Sequence, residues 1–297
     1  MPITPAARPA PVLFALAAWL LAAFSPSAAS AAYPDRVIRI VVPFAPGGGT
    51  DVVARTLAQE LARDLGANIV IENKPGAGTI IGTQAVATSE PDGYTLLMGT
   101  FANAVNPSLN AKLPYDPHKD FAPVALIARS FNIVVVNPKS PFHSIADLIA
   151  AAKAEPEKLS YGTYGTGTSA HLAGELFKTL AGVKLTTVPY KGAAPAITDL
   201  VGGQIQVMFT TVAEAGVPGY AAESWYGLFA PARTPADVID RLNKAAATAV
   251  QSEAFRRLGV NEGLVMVASP PEQLDRYFRG EEARWRKVIQ DAGITVE

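Results

Sequence analysis

The chain has 297 residues, 25 Lys+Arg against 26 Asp+Glu, and a formal net charge of −1. That balance lacks the basic footprint that a nucleic-acid binder needs to neutralise phosphates, and the absence of cysteine excludes disulfides, thiol catalysis and cysteine metal sites. With 49% hydrophobic and 17% charged residues the chain can bury a large core, and its length suits two domains of roughly 100–150 residues each.

The first predicted element is a leader. Residues 12–24, VLFALAAWLLAAF, form one apolar run after Arg8, followed by the small-residue tract from Ser25 to Ala32. At 1.5 Å per residue such a run spans only ~20 Å, short of the ~30 Å hydrocarbon core. A basic residue, a short apolar core and the Ala29-Ser30-Ala31 end describe a secretory signal peptide over residues 1–32. The rest is expected to be exported and not membrane-spanning.

Strand-like and helix-like segments then alternate. Arg36–Phe44 is rich in β-branched residues and reads as a strand. Thr50–Leu65 places Val52/Val53, Leu57, Leu61 and Leu65 at helical spacing, with Thr50 or Asp51 as the natural N-cap. Asn68–Glu72 is a strand, Thr79–Thr88 a helix and Tyr94–Met98 a third strand. This order predicts a parallel sheet with helices on both faces. After Gly99 the pattern loosens. Strands are expected at Ala122–Ala128 and Asn132–Val136, a helix capped by Ser144 at Ile145–Ala154, and a short strand at Lys158–Tyr161. The helix His171–Leu180, strand Leu185–Pro189, helix Ala194–Val201 and strand Gln204–Phe209 follow, so a second αβ half starts near residue 125. Trp225–Ala230 is a strand, Pro235 opens a helix to about Val250, and a last helix covers about Glu272–Ala292.

Four glycine- or hydroxyl-rich turns lie at carboxyl ends of strands, where α/β sheets bind ligands. Pro43-Phe-Ala-Pro-Gly-Gly-Gly-Thr-Asp51 leads from a strand into a helix and can aim backbone N–H groups at an anion. It is neither a P-loop nor a Rossmann fingerprint, since no Gly-Lys-Ser/Thr follows and Val52 takes the third glycine position. Asp51 would repel an anion if it pointed inward, so it is expected to cap the helix. Glu72–Thr79 repeats the strand–turn–helix pattern, Tyr161–Ser169 offers six Gly or Thr in nine residues, and Gly99–Asn103 follows the third strand. The bland reading of each is a tight capped turn or a flexible loop. Together they favour a cleft for a small anion gripped by uncharged donors, each charge-assisted bond contributing roughly 1.5–3 kcal/mol.

Catalytic signals are thin. His118 and His143 sit in Pro-flanked loops and read as surface residues; Ser169 and His171 diverge on a helix start. Glu175 and Asp199 are single acids with solvated or capping roles. No HExxH, GxSxG or paired-acid motif occurs, and no metal site or cofactor is expected.

The stretches YPDRVIRIVVPFAPGGGTDVVAR, VIENKPGAGTIIGTQAVA, PDGYTLLMGT, VPYKGAAPAITDLVGGQIQVMF and VAEAGVPGYAAESWYGLFAPARTP resemble the Bug family, the substrate-binding proteins of tripartite tricarboxylate transporters. The resemblance implies an α/β, two-lobed periplasmic-binding-protein fold, type II-like, each lobe a mainly parallel sheet flanked by helices. Lobe 1 would hold residues 33–125 and 230–297, and lobe 2 residues 126–229, joined by crossing strands at Pro123–Arg129 and Trp225–Ala232. It further implies a periplasmic monomer that closes around a small carboxylate and presents it to transporter membrane subunits. The carried-over ligand residues are Pro46, Gly47, Gly48, Thr50 and Asp51 in the first loop, Thr166, Gly167, Thr168 and Ser169 in the second, and Thr100 and Ala102 between them. One departure stands out. After Phe209 the family usually continues with an acid, a helix and a strand of lobe 2, whereas here Thr210 leads almost directly into VAEAG. An internal deletion is therefore expected there, with Thr210 at the place of the lost acid or flanking the gap, and a sheet edge left open. A sensor or scavenger acting through a receptor, and an exported enzyme acting on a small acid, are the competing functions.

Overall fold

The computed structural model describes residues 33–211, 223–291 and 294. The predicted leader, residues 1–32, and the VAEAG stretch after the expected deletion lie outside the described residues.

Strand β1 (Ile38–Val42) is the apolar heart of the first lobe; four of its five residues are buried. It pairs in parallel with β2 (Ile69–Asn73) on one side and β3 (Thr95–Thr100) on the other. Helix α1 (Gly49–Leu65) crosses over between β1 and β2 and buries Val53, Leu57, Leu61 and Leu65, the face that the spacing predicts. Burying each such side chain contributes about 1.5–3 kcal/mol. Its cap differs from expectation: Gly48 is the N-cap, and Gly66 ends the helix in the left-handed region at φ 65°. A 3₁₀ turn at Ala77–Thr79 precedes α2 (Ile80–Ala87).

The loosened stretch after Gly99 holds an unpredicted helix, α3 (Phe101–Leu109). Its asparagines and Pro107 give it weak intrinsic propensity. Tertiary packing forms it instead: Phe101 meets Trp285 edge-on at 4.8 Å between centroids. Likewise, the two strands expected between 122 and 136 are one, β4 (Phe121–Val136). Ser130 and Asn132 interrupt its apolar pattern, yet both are buried.

In the second lobe, α4 (Ile145–Ala154) is capped by Ser144, as predicted. It is followed by β5 (Ser160–Thr163), α5 (Ser169–Ala181), β6 (Thr186–Pro189), α6 (Ala193–Gly202) and β7 (Val207–Thr211). β5 pairs in parallel with β6 and β7. The chain returns through β8 (Glu223–Pro231), α7 (Ala236–Val250), α8 (Glu253–Glu262), β9 (Leu264–Met266) and α9 (Pro271–Asp291). α8 and β9 were not expected from the sequence. The strand order is β2-β1-β3-β8-β4-β7-β5-β6, with β9 also on β4. β4 is the strand common to both lobes: Phe121–Phe131 pairs with β8 and Asn132–Val136 with β7, both antiparallel. Among the described residues, Asn132–Val136 has no strand partner other than β7.

Helix α9 closes the first lobe. Leu274, Phe278, Trp285 and Ile289 lie on its buried face, and Phe278 packs edge-on against Trp225 and Phe229 of β8. His118 is more than a surface residue: its Nε2 lies 2.6 Å from the buried Glu282 carboxylate of α9, and its ring packs on Phe278.

Candidate functional site

A cavity of about 330 Å³ opens between the two lobes over β4, a size in the usual range for small-molecule sites. Four helices begin on its wall. Gly48, Gly49 and Thr50 start α1; Thr100, Phe101 and Ala102 start α3; Thr168 and Ser169 start α5; Ala193 starts α6. Each helix start carries partial positive charge and amides without intrahelical acceptors. Gly48 and Gly192 are N-caps without a side chain to occupy those amides.

Of the residues expected in the site, Gly47, Gly48, Thr50, Thr100, Ala102, Thr168, Ser169 and Thr210 line the cavity. Pro46, Asp51, Thr166 and Gly167 do not. Pro46 is exposed in the turn before α1. Asp51 is buried and turned away: its carboxylate accepts from Gly47 N–H, Arg55 Nε and Asn73 Nδ2, all at 2.9 Å. Burial opposes its charge, but these bonds outweigh the cost and hold the carboxyl below its ordinary range. Asp51 therefore fixes the loop from behind, neither capping α1 as N-cap nor facing a ligand. The Thr166 carbonyl and Gly167 face the first lobe. A Cβ on Gly78 would come within 2.6 Å of Thr166 O, and one on Gly167 within 3.2 Å of Asn106 Oδ1.

The first loop also meets the turn that leads into α6. Ala45 N–H donates to Lys191 O at 3.1 Å, and a Cβ on Gly48 would stand 3.4 Å from that of Ala193.

The second loop is held by α5. Gly167 N–H donates to His171 Nδ1 at 3.2 Å, which requires that nitrogen to be unprotonated. Burial pushes the His171 pKa down, so the neutral ring is the favoured form. Glu175, expected to be solvated or capping, is a partly buried hub that accepts from Tyr161 Oη at 2.6 Å, Lys178 Nζ at 2.9 Å and Thr187 Oγ1 at 3.0 Å.

Several lining residues escaped the sequence reading: Ser130 and Asn132 of β4, Tyr164, Ser224 and Tyr226 of β8, and Glu262. Tyr164 Oη donates to Thr210 Oγ1, and burial pushes its pKa up to about 12. Burial also raises that of Tyr226, with Tyr164 and Glu262 adding to the effect, so both hydroxyls keep their protons as donors. Ser130 Oγ and Asn132 Nδ2 are buried with no hydrogen-bond partner among the described residues. A signal for these two existed, since they are the polar breaks in an otherwise apolar strand. Glu262 gave none, because α8 itself was not predicted. No Lys, Arg or His lines the cavity among the described residues. The wall suits an anion bound by amides and hydroxyls instead of by countercharge.

The profile described as "Tripartite tricarboxylate transporter family receptor" matches residues 53–213 and 209–294. The chain belongs to this family of transporter receptors. The two matched stretches overlap at 209–213. Among relatives of this receptor, protein BugT of Bordetella pertussis is 34% identical over 299 residues, covering 89% of this chain and 92% of BugT. The R. palustris protein Rpa4515, solved with adipate, superposes with a TM-score of 0.85 at 35% identity, covering 89% of this chain and 99% of that one. MatC from Rhodopseudomonas palustris, solved with bound malate, does so with a TM-score of 0.82 at 30% identity, covering 86% and 100%. The two-lobed α/β fold of the receptor is that of these periplasmic binding proteins.

Proposed function

We propose that this receptor is exported to the periplasm by the leader over residues 1–32, captures a small carboxylate between its lobes, and presents it to the membrane subunits of a tripartite tricarboxylate-type transporter. The observation that carries this reading is the meeting of four helix N-termini on one cavity without a basic side chain. Such a wall replaces the hydration of a carboxylate with fixed N–H and O–H donors. The adipate and malate held by two relatives support the same ligand class. In this reading lobe 1 comprises residues 33–125 and 230–297, lobe 2 comprises residues 126–229, and the protein acts as a monomer that binds without turnover. Gly47, Gly48, Thr50, Thr100, Ala102, Thr168, Ser169 and Thr210 are the ligand-facing residues, and Ser130 and Asn132 join them.

Calorimetric titration with a panel of carboxylates tests the reading; no saturable binding by any of them would overturn it. Gly48→Asp sharpens the test. Gly48 has φ −88° and ψ 169°, a conformation open to any residue, and Asp is a favourable N-cap. The variant should fold with unchanged or slightly raised stability while losing at least tenfold in carboxylate affinity, because it places a negative charge where the ligand's charge is to sit.

A further inference from the structure

The cavity is asymmetric in charge. Its wall of neutral donors includes one ionisable acid among the described residues, Glu262, at the last position of α8. Gly263 ends that helix in the left-handed region at φ 62°, and β9 follows with Leu264 paired to Ser130 of β4. This register brings residue 262 to the cavity from the first-lobe side. Its charge acts on the Tyr226 hydroxyl, and that hydroxyl lies beside the start of α1, 3.1 Å from where a Cβ on Gly49 would stand. A carboxylate next to an anion site opposes a dianion, and among the described residues of the wall no cation stands to pair with it.

Two further groups lie in the same cavity with no hydrogen-bond partner among the described residues: Ser130 Oγ and Asn132 Nδ2, in residues each only 1% exposed. Leaving such buried groups unpaired is unfavourable, so a ligand or its water is expected to complete them. A hydroxyl oxygen such as Ser130 Oγ can accept from an ammonium, and an amide such as Asn132 can donate to a carboxylate.

Resting on the receptor reading above, we infer that Glu262 makes this cleft selective for zwitterionic ligands. These are carboxylates that also bear an ammonium group, preferred over dicarboxylates of the same length that lack one. The carboxylate is held by the helix starts, and the ammonium faces Glu262 and the serine hydroxyls. A solvated ion pair of this kind corresponds to about a two- to fivefold preference.

Aspartate and succinate form the deciding pair, because they differ only in the ammonium; glutamate and glutarate repeat the comparison one methylene longer. Calorimetry on the full exported chain should give the amino form a preference of about two- to fivefold. Glu262→Gln should remove that preference by weakening aspartate and tightening succinate, and Glu262→Lys should reverse it. Residue 262 is exposed, and both variants should keep the parent melting temperature. A native preference for succinate, or an aspartate-to-succinate ratio that does not respond to residue 262 while both bind, overturns this inference alone. Absence of saturable binding by every carboxylate overturns the receptor reading and this inference with it.

Discussion

The two loops that face each other across the cavity are built alike and held differently. The first, from Pro43 to Asp51, is fixed from behind by ions: the Asp51 carboxylate joins Gly47 N–H, Arg55 and Asn73, and Asn73 Nδ2 also donates to Phe44 O at 3.1 Å. The second, from Gly162 to Ser169, is fixed by a neutral ring, His171 Nδ1 accepting from Gly167 N–H, with Glu175 one turn further along α5. Both arrangements keep charge off the face turned to the cavity. They differ in what breaks them. An Asp–Arg clamp persists across the physiological pH range, whereas an unprotonated histidine acceptor is lost on mild acidification.

The largest effect should come from removing the ionic clamp. Asp51→Ala leaves the Gly47 amide without its acceptor, removes one of the two acceptors of Asn73 Nδ2 and leaves Arg55 without its counterion. Because Arg55 is half exposed, the expected cost is about 2–4 kcal/mol, read from urea unfolding, with carboxylate affinity falling in parallel. A loss below about 1 kcal/mol would mean that the first loop holds its shape without its carboxylate. In the second loop the comparable change is smaller. Tyr161→Phe deletes one donor to Glu175 but leaves Lys178 and Thr187, so about 1–2 kcal/mol is expected. A larger loss than that from Asp51→Ala would reverse the ranking of the two supports.

The smallest effect is the one that separates the loops by pH. His171 in the folded protein has its pKa pushed below the ordinary 6.5 by burial, with Glu175 partly opposing the shift. The unfolded chain therefore takes up a proton at a higher pH than the folded one. Stability is full above 6.5 and declines as pH falls from there toward the lowered folded value. Asp51 is also lowered, from an ordinary 3.8, so the first clamp weakens only below 3.8. Hydrogen exchange at Gly167 should accelerate relative to Gly47 as pH falls below 6.5 toward the lowered pKa of His171. Equal responses at the two amides would remove the distinction, and His171→Leu should abolish the pH step at Gly167 while lowering stability at all pH values.

Much of the fold was legible in the sequence because its signals are local. Helical spacing of Val53, Leu57, Leu61 and Leu65 marks α1, and the β-branched runs mark β1 and β2. The elements missed lacked such signals. α3 is rich in asparagine and exists because Phe101 packs on Trp285, far along the chain. β4 read as two strands because Ser130 and Asn132 break its pattern, and those breaks are where the strand passes under the cavity. In the site, the loops were legible as glycine- and hydroxyl-rich turns at strand ends. The orientation of their side chains was not. Asp51 turns back because Asn73 waits behind it, and Glu262 reaches the cavity through a helix that the pattern does not announce.

The sequence by itself determined the α/β alternation, the positions of the uncharged turns and the absence of cysteine chemistry, because spacing and residue type act over a few neighbours. Only the tertiary structure decided that four helix starts share one cavity, that Asp51 stands behind it and that Glu262 stands in it. Those facts depend on contacts between segments distant in the chain, where burial, hydrogen-bond partners and strand register set which way each side chain points.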